Sequence, residues 1–558
     1  MEVTLPVKPF GARRDVGVSG STTGGASRSV EVSIPEASNP QARSVVVSLM
    51  PSMAGSLLGA LDDLVNYPYG CTEQTVSSFV PNLLVVRTLD QLKLAPTERM
   101  GLLDRISRAG VDRLVRLQHD NGAWGWWRTD DDHPFMTAYA VYGLLEARGA
   151  DIQVPYTALQ NGVTAVARQL VETPTLVPEL QAYAAYVLAR AKAADITPQQ
   201  EGFTPAALVD QLWGRRSDMS PYGQAWLLLA LHAQKDTRAG ELAAALATRA
   251  QTRGDLAWWS SENDPLLGDW GDASADATAA VVQGLAAVRP DDPLLEPAVR
   301  YLLAQRQSGM SWNSTKQSAM ALYGLLGVMK ARKEAPAPVT VTVTAGGQTQ
   351  TVAFTAADWT RAFPATVTFP AAAGKSSVTI ASRGGPVYWT ASARYFDTSA
   401  GLERTGTRKL ALSRKYFQLA PVRRDNRVVY EERPYTGTAN PGDLILVRLV
   451  VAGADDWRYL MIEDPIPAGS EAVSRPDLLE LARPPDWEYG SHREYRDDRV
   501  ALFLDSLDGR AEFAYLLRVT TPGRFRAMPA QVTPMYIPGI YASSDTHQLD
   551  VPSPQEPR

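Results

Sequence analysis

Tyr67-Pro68-Tyr69-Gly70-Cys71-Thr72-Glu73-Gln74 is the stretch on which the reading of this chain turns. Cys71 is the only cysteine in 558 residues. A disulfide within the chain and a zinc site of several thiolates are therefore excluded. A glutamine three positions later permits something rarer. The thiol can displace the side-chain ammonia of Gln74, leaving a thioester between Cys71 sulfur and the Gln74 carbonyl. Thr72 and Glu73 span one helical turn, so the two side chains can meet on one face. The plain alternative stays open here: a single cysteine is commonly a small buried hydrophobe without chemistry.

Working outward, Leu57, Leu58, Leu61, Leu64 and Val65 fall on one helical face before the motif. Pro68 and Gly70 break that pattern and put Cys71 at a bend. A second helix is expected from Cys71 to Leu83. Its free backbone N–H groups would face the thioester carbonyl and stabilise charge developing there or on a departing thiolate. From Glu98 to about Lys330 the pattern is helix after helix, broken by Gly, Pro and Asp turns. Three tryptophan segments recur: Ala123-Trp124-Gly125-Trp126-Trp127, Trp258-Trp259 and Trp312. Each precedes an alanine-rich helix, opening at Thr137-Ala138, Ala277-Thr278 and Ser318-Ala319. Short paired helices of this kind predict a closed ring or a solenoid, with the tryptophans of the degenerate repeats as wedges between helix pairs.

The flanks read as strands. Ser29 to Ile34 alternates, Ser44 to Ser48 is rich in valine, and Gly, Ser and Thr fill Val18 to Ser29 as a flexible connection. The first 54 residues are too few for a well-filled core. Glu334-Ala335-Pro336-Ala337-Pro338 ends the helices, and strands follow to the C-terminus. Arg499 to Phe503 and Glu512 to Val519 read as opposed strands in a final sandwich from about residue 405.

Composition narrows the function. Lys and Arg number 55 against 60 Asp and Glu, a net charge of -5 that makes no case for nucleic acid. The sequence has no long uninterrupted apolar span and opens MEVTLPVKPFG, without the series of a signal peptide. That opening reads as the middle of a larger protein. The sequence contains no nucleotide-binding glycine loop and no H-E-x-x-H metal site. No cofactor and no metal are expected. Asp130-Asp131-Asp132, followed by His133, reads as a solvated turn or helix cap rather than a cation site.

The Y-P-Y-G-C-x-E-Q motif, with helical repeats after it, resembles the reactive centre of the alpha-2-macroglobulin and complement thioester family, in its bacterial branch. The resemblance implies a multidomain fold. Residues 1–54 and 334–402 would form one discontinuous CUB β-sandwich. Inserted in it would be an alpha/alpha-toroid thioester domain at 55–333. Residues 403–558 would be a terminal macroglobulin-like β-sandwich, similar to a receptor-binding domain. It implies a single-use protease trap, not an enzyme: Gln74 acylates a lysine of an attacking protease and Cys71 leaves as a thiol. Tyr67 and Tyr69 would shield the bond, together with Met535 and Tyr536 in Pro534-Met535-Tyr536-Ile537-Pro538. Packing of Met535 inside its own sandwich is the alternative.

Some complement relatives pass the acyl group to hydroxyls through a histidine. None of His119, His133, His232, His492 and His547 falls in the matching helix around Leu176 to Ala189. Direct acylation of amines is expected, with His119 and His133 the two that could approach the site. The implied partners are target proteases, as covalent adducts, and the upstream macroglobulin and bait domains of a longer protein. The chain would be a monomer, in the periplasm or cell envelope because cytosolic thiols would exchange with the thioester. Lipid anchoring is left open. The competing reading is a non-reactive envelope binding or assembly module with a free buried cysteine. A toroid enzyme similar to terpene cyclases is disfavoured by the lack of a D-x-D-D acid.

Overall fold

The computed structural model describes residues 12–54, 57, 61, 64, 70–91, 97–268, 271–306, 312–332, 337–360, 364–397, 405–406, 410–425, 427–454, 457–487, 492–536 and 541–553. The chain divides into two compact units, Arg13–Phe396 and Asp397–Arg558. Each is described by itself.

The first unit is dominated by helices: α1 (Thr72–Gln91), α2 (Thr97–Leu117), α3 (Pro134–Arg148), α4 (Tyr156–Glu172), α5 (Pro178–Ala193), α6 (Pro205–Gly214), α7 (Pro221–Ala233), α8 (Arg238–Thr248), α9 (Ser274–Val288), α10 (Leu295–Ala304) and α11 (Thr315–Arg332). Burial sorts them into two layers. Every residue of α3 from Phe135 to Ala147 is buried, and α9 and α11 are nearly as uniform. A helix apolar all round belongs inside. In α8 and α10 only one stripe is buried, for example Leu242, Ala243 and Leu246. The inner helices α1, α3, α5, α7, α9 and α11 pack in sequence, and α11 closes back on α1. The odd-numbered helices all start at the same end of the ring. Prolines at the first positions of α3, α5 and α7 suit this, since those N–H groups have no helical partner.

The tryptophan repeat is visible in hydrogen bonds. The indole N–H of Trp124 donates to Leu114 O, that of Trp259 to Leu246 O and that of Trp312 to Leu302 O, each at 2.8 Å. Each backbone N–H then donates to a hydroxyl of the next inner helix: Thr137 and Thr278 at 3.1 Å, Ser318 at 3.0 Å. Each tryptophan thus pins the end of an outer helix to the start of an inner one. The expected helix from Cys71 to Leu83 runs further, to Gln91, with Pro81 inside it. A proline removes one internal hydrogen bond; burial of Val76, Phe79, Val80 and Val85 against the ring holds the helix together. α6 buries only a narrow stripe, Leu208, Val209 and Leu212.

Strands before the ring pair with strands after it. Ser44–Met50 lies between Val387–Asp397 and Ala365–Pro370 in a four-stranded sheet whose other edge is Ala12–Thr22. Ser27–Ile34 pairs antiparallel with Gly374–Gly384 in a second, whose remaining strands are Val339–Ala345 and Gln348–Phe354. One core joins the two sheets, with Val45, Val47 and Leu49 from before the helices and Val341, Ile380 and Ala391 from after them. The segment read as a flexible connection is in part strand: Ala12–Thr22 is ordered to its end. Gly20 serves close packing there, because a Cβ would sit 2.8 Å from the Trp389 ring.

The second unit holds a six-stranded and a five-stranded sheet around a shared core that includes Leu412, Val447, Leu460, Leu502, Phe513 and Tyr515. Leu444–Gly453 pairs with Arg510–Val519, and Trp457–Pro465 with Arg499–Leu507. The two C-terminal strands expected to oppose each other therefore lie in different sheets. Both carry buried apolar runs that fit either partner, so alternation alone could not choose. Among the described residues no helix is long and apolar enough to cross a membrane.

Candidate functional site: the first turn of helix α1

Cys71 is fully buried at the start of α1. Its backbone N–H donates to Gln74 Oε1 at 3.3 Å, and the Gln74 N–H donates to Cys71 Sγ at 3.5 Å. Cys71 and Gln74 thus share one face of the first turn, each backbone amide aimed at the other's side chain. Not all first-turn donors are available, contrary to expectation. Thr72 N–H donates to Trp126 O at 2.8 Å, and Thr75 N–H continues the helix to Cys71 O at 2.9 Å.

Gly70 leads directly into the helix. The Arg113 guanidinium donates to Gly70 O through Nε. A Cβ on Gly70 would lie 2.6 Å from that nitrogen, so a larger residue here would displace the guanidinium from the carbonyl. Burial pushes the Cys71 thiol pKa well up, and the charge of Glu73 adds to it. The Gln74 and Glu73 amides and Arg113 pull it down without reversing the shift.

Glu73 is fully buried and hydrogen-bonded. Ser77 Oγ donates to Oε1 at 2.5 Å, and Thr315 Oγ1 lies 3.0 and 2.8 Å from its two oxygens. Tyr139 OH is 3.0 Å from Ser77 Oγ and 3.4 Å from Tyr323 OH, extending the network across the ring. The next residue after Thr315, Lys316, is buried between Asp264 (2.6 Å) and Asp276 (2.8 Å). Burial pulls the Lys316 pKa down, but the two carboxylates overcome it and the net shift is upward. Burial raises the Asp264 pKa even against Lys316. Sequence reading missed Arg113, Ser77, Tyr139, Thr315 and Lys316. Contacts between distant elements bring Arg113 to Gly70, Thr315 to Glu73, Tyr139 to Ser77 and Lys316 to its two carboxylates; the i, i+4 spacing of Glu73 and Ser77 was the one available signal.

The loop from Gln118 to His133 braces the site. Trp126 O also accepts from Thr72 Oγ1 at 3.2 Å. Asp130 Oδ2 accepts from the Trp126 and Trp127 amides at 2.8 and 3.1 Å, and His119 sits 2.6 Å from Asp132 and 3.0 Å from Trp127 O. The acidic run therefore ties down loop amides. Among the described residues no group of three or more His, Cys, Asp or Glu could hold a metal. The His133 ring lies edge-on to Trp126 at 4.6 Å, its Nδ1 buried without a hydrogen bond. Burial lowers its pKa to about 4.

Tyr67 and Tyr69 lie outside the described residues. Met535 and Tyr536 are half-buried in the second unit, where Met535 N–H donates to Tyr459 O at 3.0 Å and Tyr536 meets the Tyr459 ring edge-on at 6.0 Å.

A helical ring with a buried Cys-Gln pair at one helix start is thus followed along the chain by a β-sandwich unit. A family model for the A-macroglobulin TED domain matches residues 43–171, and one for the bacterial alpha-2-macroglobulin MG10 domain matches 410–539. The alpha-2-macroglobulin of Xylella fastidiosa strain Temecula1 is 28% identical over 534 residues, 89% of this chain and 30% of the relative. That of Escherichia coli K12 is 26% identical over 541 residues, 88% of this chain and 29% of the relative. In fold the chain is similar to Escherichia coli alpha-2-macroglobulin solved from domain MG7 to the C-terminus, with a TM-score of 0.69 at 19% identity, covering 98% of this chain and 83% of that one. Salmonella alpha-2-macroglobulin reacted with methylamine gives 0.68 at 20% identity, covering 97% and 34%. Together these matches support a C-terminal portion of a bacterial alpha-2-macroglobulin. The chain spans about a third of the length of the curated relatives it matches.

Proposed function

We propose that Cys71 and Gln74 are joined as a thioester and that the longer protein containing this chain traps proteases through it. The reciprocal amide contacts between Cys71 and Gln74 in a dry first turn carry this reading. In forming the bond, Sγ attacks the Gln74 carboxamide carbon. The C–N bond breaks, and ammonia leaves with the thiol proton. In the trapping step a protease lysine amine attacks the same carbon and the C–S bond breaks. The thiol sulfur recovers a proton, leaving an amide between the two proteins. The Cys71 N–H is placed to hold the carbonyl oxygen as it gains charge, and the Gln74 N–H to hold the departing sulfur.

Burial supplies latency. A site that holds the thiol pKa high also makes the thiolate a poor leaving group, so attack is slow until the pocket is wetted. Tyr67, Tyr69, Met535 and Tyr536 are proposed as shields. The reaction consumes the bond once and is stoichiometric. We assign the interrupted sandwich as a CUB domain of residues 1–54 and 334–402, around a toroid at 55–333 and before a terminal macroglobulin domain at 403–558. Upstream macroglobulin and bait domains and an envelope location complete the proposal.

The second reading, a free thiol in a binding module, is favoured by the full burial of Cys71. Intact mass separates the two. A thioester chain weighs less than its sequence by one ammonia, and methylamine adds its whole mass while releasing one thiol. Full sequence mass with a titratable thiol, found in the unprocessed longer protein before any amine is added, would sink the trap.

A further inference from the structure

The inner helices all begin at the Cys71 end, so their C-termini gather at the other. There the ring opens into a cavity of about 570 Å³ to which all six contribute side chains. Arg87 lies on this rim, ~24 Å from Cys71 at 1.5 Å per helical residue. Tyr142, Tyr186 and Tyr323 line the cavity, with the Tyr142 ring 6.1 Å from that of Tyr186 and 5.7 Å from that of Tyr323. Leu84, Leu229 and Leu326 add apolar wall.

Its charged lining is unbalanced. Arg87, Arg190 and Lys330 face one carboxylate, Glu146. Glu146 is taken: Arg190 Nη2 lies 2.5 Å from its Oε1, while Arg190 Nη1 donates to Tyr186 OH at 3.1 Å. Arg87 and Lys330 have no carboxylate within ion-pair distance among the described residues. Converging helix C-termini do attract cations. Arg148, Arg190, Lys192, Lys330 and Arg332 in the last turns answer that demand, and Arg87, outside the last turn of its helix, adds a further positive charge to the same rim. Lys330 also registers crowding by its own sign. Lost hydration lowers its pKa, Glu146 pulls it up, and Arg87 and Arg190 push it down again.

We propose that this cavity binds a small organic anion, with a carboxylate or phosphate between Arg87 and Lys330 and an aromatic or aliphatic body against the tyrosines and leucines. Its volume falls within the roughly 300–1,000 Å³ of small-molecule sites. The site is separate from the Cys71–Gln74 pair and does not need the thioester.

The test uses the full chain and the fluorescent aromatic sulfonate 8-anilinonaphthalene-1-sulfonate. Saturable one-to-one binding is expected, weakened at least tenfold in the double variant Arg87→Glu, Lys330→Glu. It should be unchanged in Arg383→Glu on the sandwich and in Cys71→Ala. Octanoate should displace the probe at lower concentration than acetate. Unsaturable binding, equal potency of the two acids, or an unaltered double variant would overturn the site. A measurement on the unsubstituted chain stands beside these. Octanoate should protect Lys330 from acetylation, read by peptide mass, and unprotected Lys330 counts against the proposal.

Discussion

The two ends of the helical ring are built from the same helices and have opposite character. At the N-terminal end Cys71, Glu73 and Lys316 are all buried, and Glu73 and Lys316 have oppositely charged or hydrogen-bonding partners. At the C-terminal end the ring is open, and Arg87 and Lys330 stand at the rim of a cavity. Parallel inner helices produce the asymmetry. One end collects free N–H groups and favours negative charge, the other collects carbonyls and favours positive charge. The closed end therefore suits a latent covalent bond and the open end a reversible ligand. Substitutions should cost much at the first and little at the second.

The largest effect is expected at Lys316. Lys316→Met strands Asp264 and Asp276 in the interior and should lower stability by about 3–5 kcal/mol. Denaturant unfolding measures this, and adding Asp264→Asn should recover part of the loss. A loss below about 1 kcal/mol would show that water reaches the triad and that the closed end is not dry.

Thr315→Val removes a donor from both oxygens of buried Glu73 while keeping the side chain's shape. A loss of about 1.5–3 kcal/mol is expected, as for hydrogen bonds to a charged group. The same variant should raise the rate at which the proposed thioester reacts with methylamine, because the start of α11 is released from α1.

His133 adds a pH dependence to this end. Its folded pKa of about 4 lies below the ordinary 6.5, so the unfolded state binds the extra proton between those values. Stability therefore falls as pH drops from about 6.5 towards 4. The loss is about 2 kcal/mol once the residue's partial exposure is allowed for. Unfolding of His133→Phe across that range should show a flatter acid limb; an identical limb would assign the slope to carboxylates.

The smallest effect is at the open end. Lys330→Gln should change stability by less than about 0.5 kcal/mol, since it breaks no pair. A gain would fit relief of repulsion from Arg87 and Arg190. A loss as large as that at Lys316 would erase the contrast between the ends.

Much of this was legible in residue order alone. The i, i+3 spacing of Cys71 and Gln74 placed both on one turn, and a unique cysteine excluded disulfide and thiolate-metal readings. The tryptophan repeats announced a ring or a solenoid because each unit buries the same indole between two helices. Other features had no local signature. Gly20 resembled part of a flexible linker because the Trp389 side chain that requires a small neighbour lies more than three hundred residues away. Strand alternation could not say which sheet takes Arg499–Leu507 and which takes Arg510–Val519.

Residue order thus determined which two side chains share a helical turn, where helices replace strands, and that the chain offers one thiol. Tertiary structure decided what surrounds them: that Arg113 crowds Gly70, that Thr315 closes on Glu73 from 242 positions away, and that early strands complete a late sheet. The division has a physical cause. Helical turns and apolar periodicity are set by neighbours within a few positions, whereas burial, ion pairing and the shift of a thiol's pKa depend on whatever the closed fold brings near.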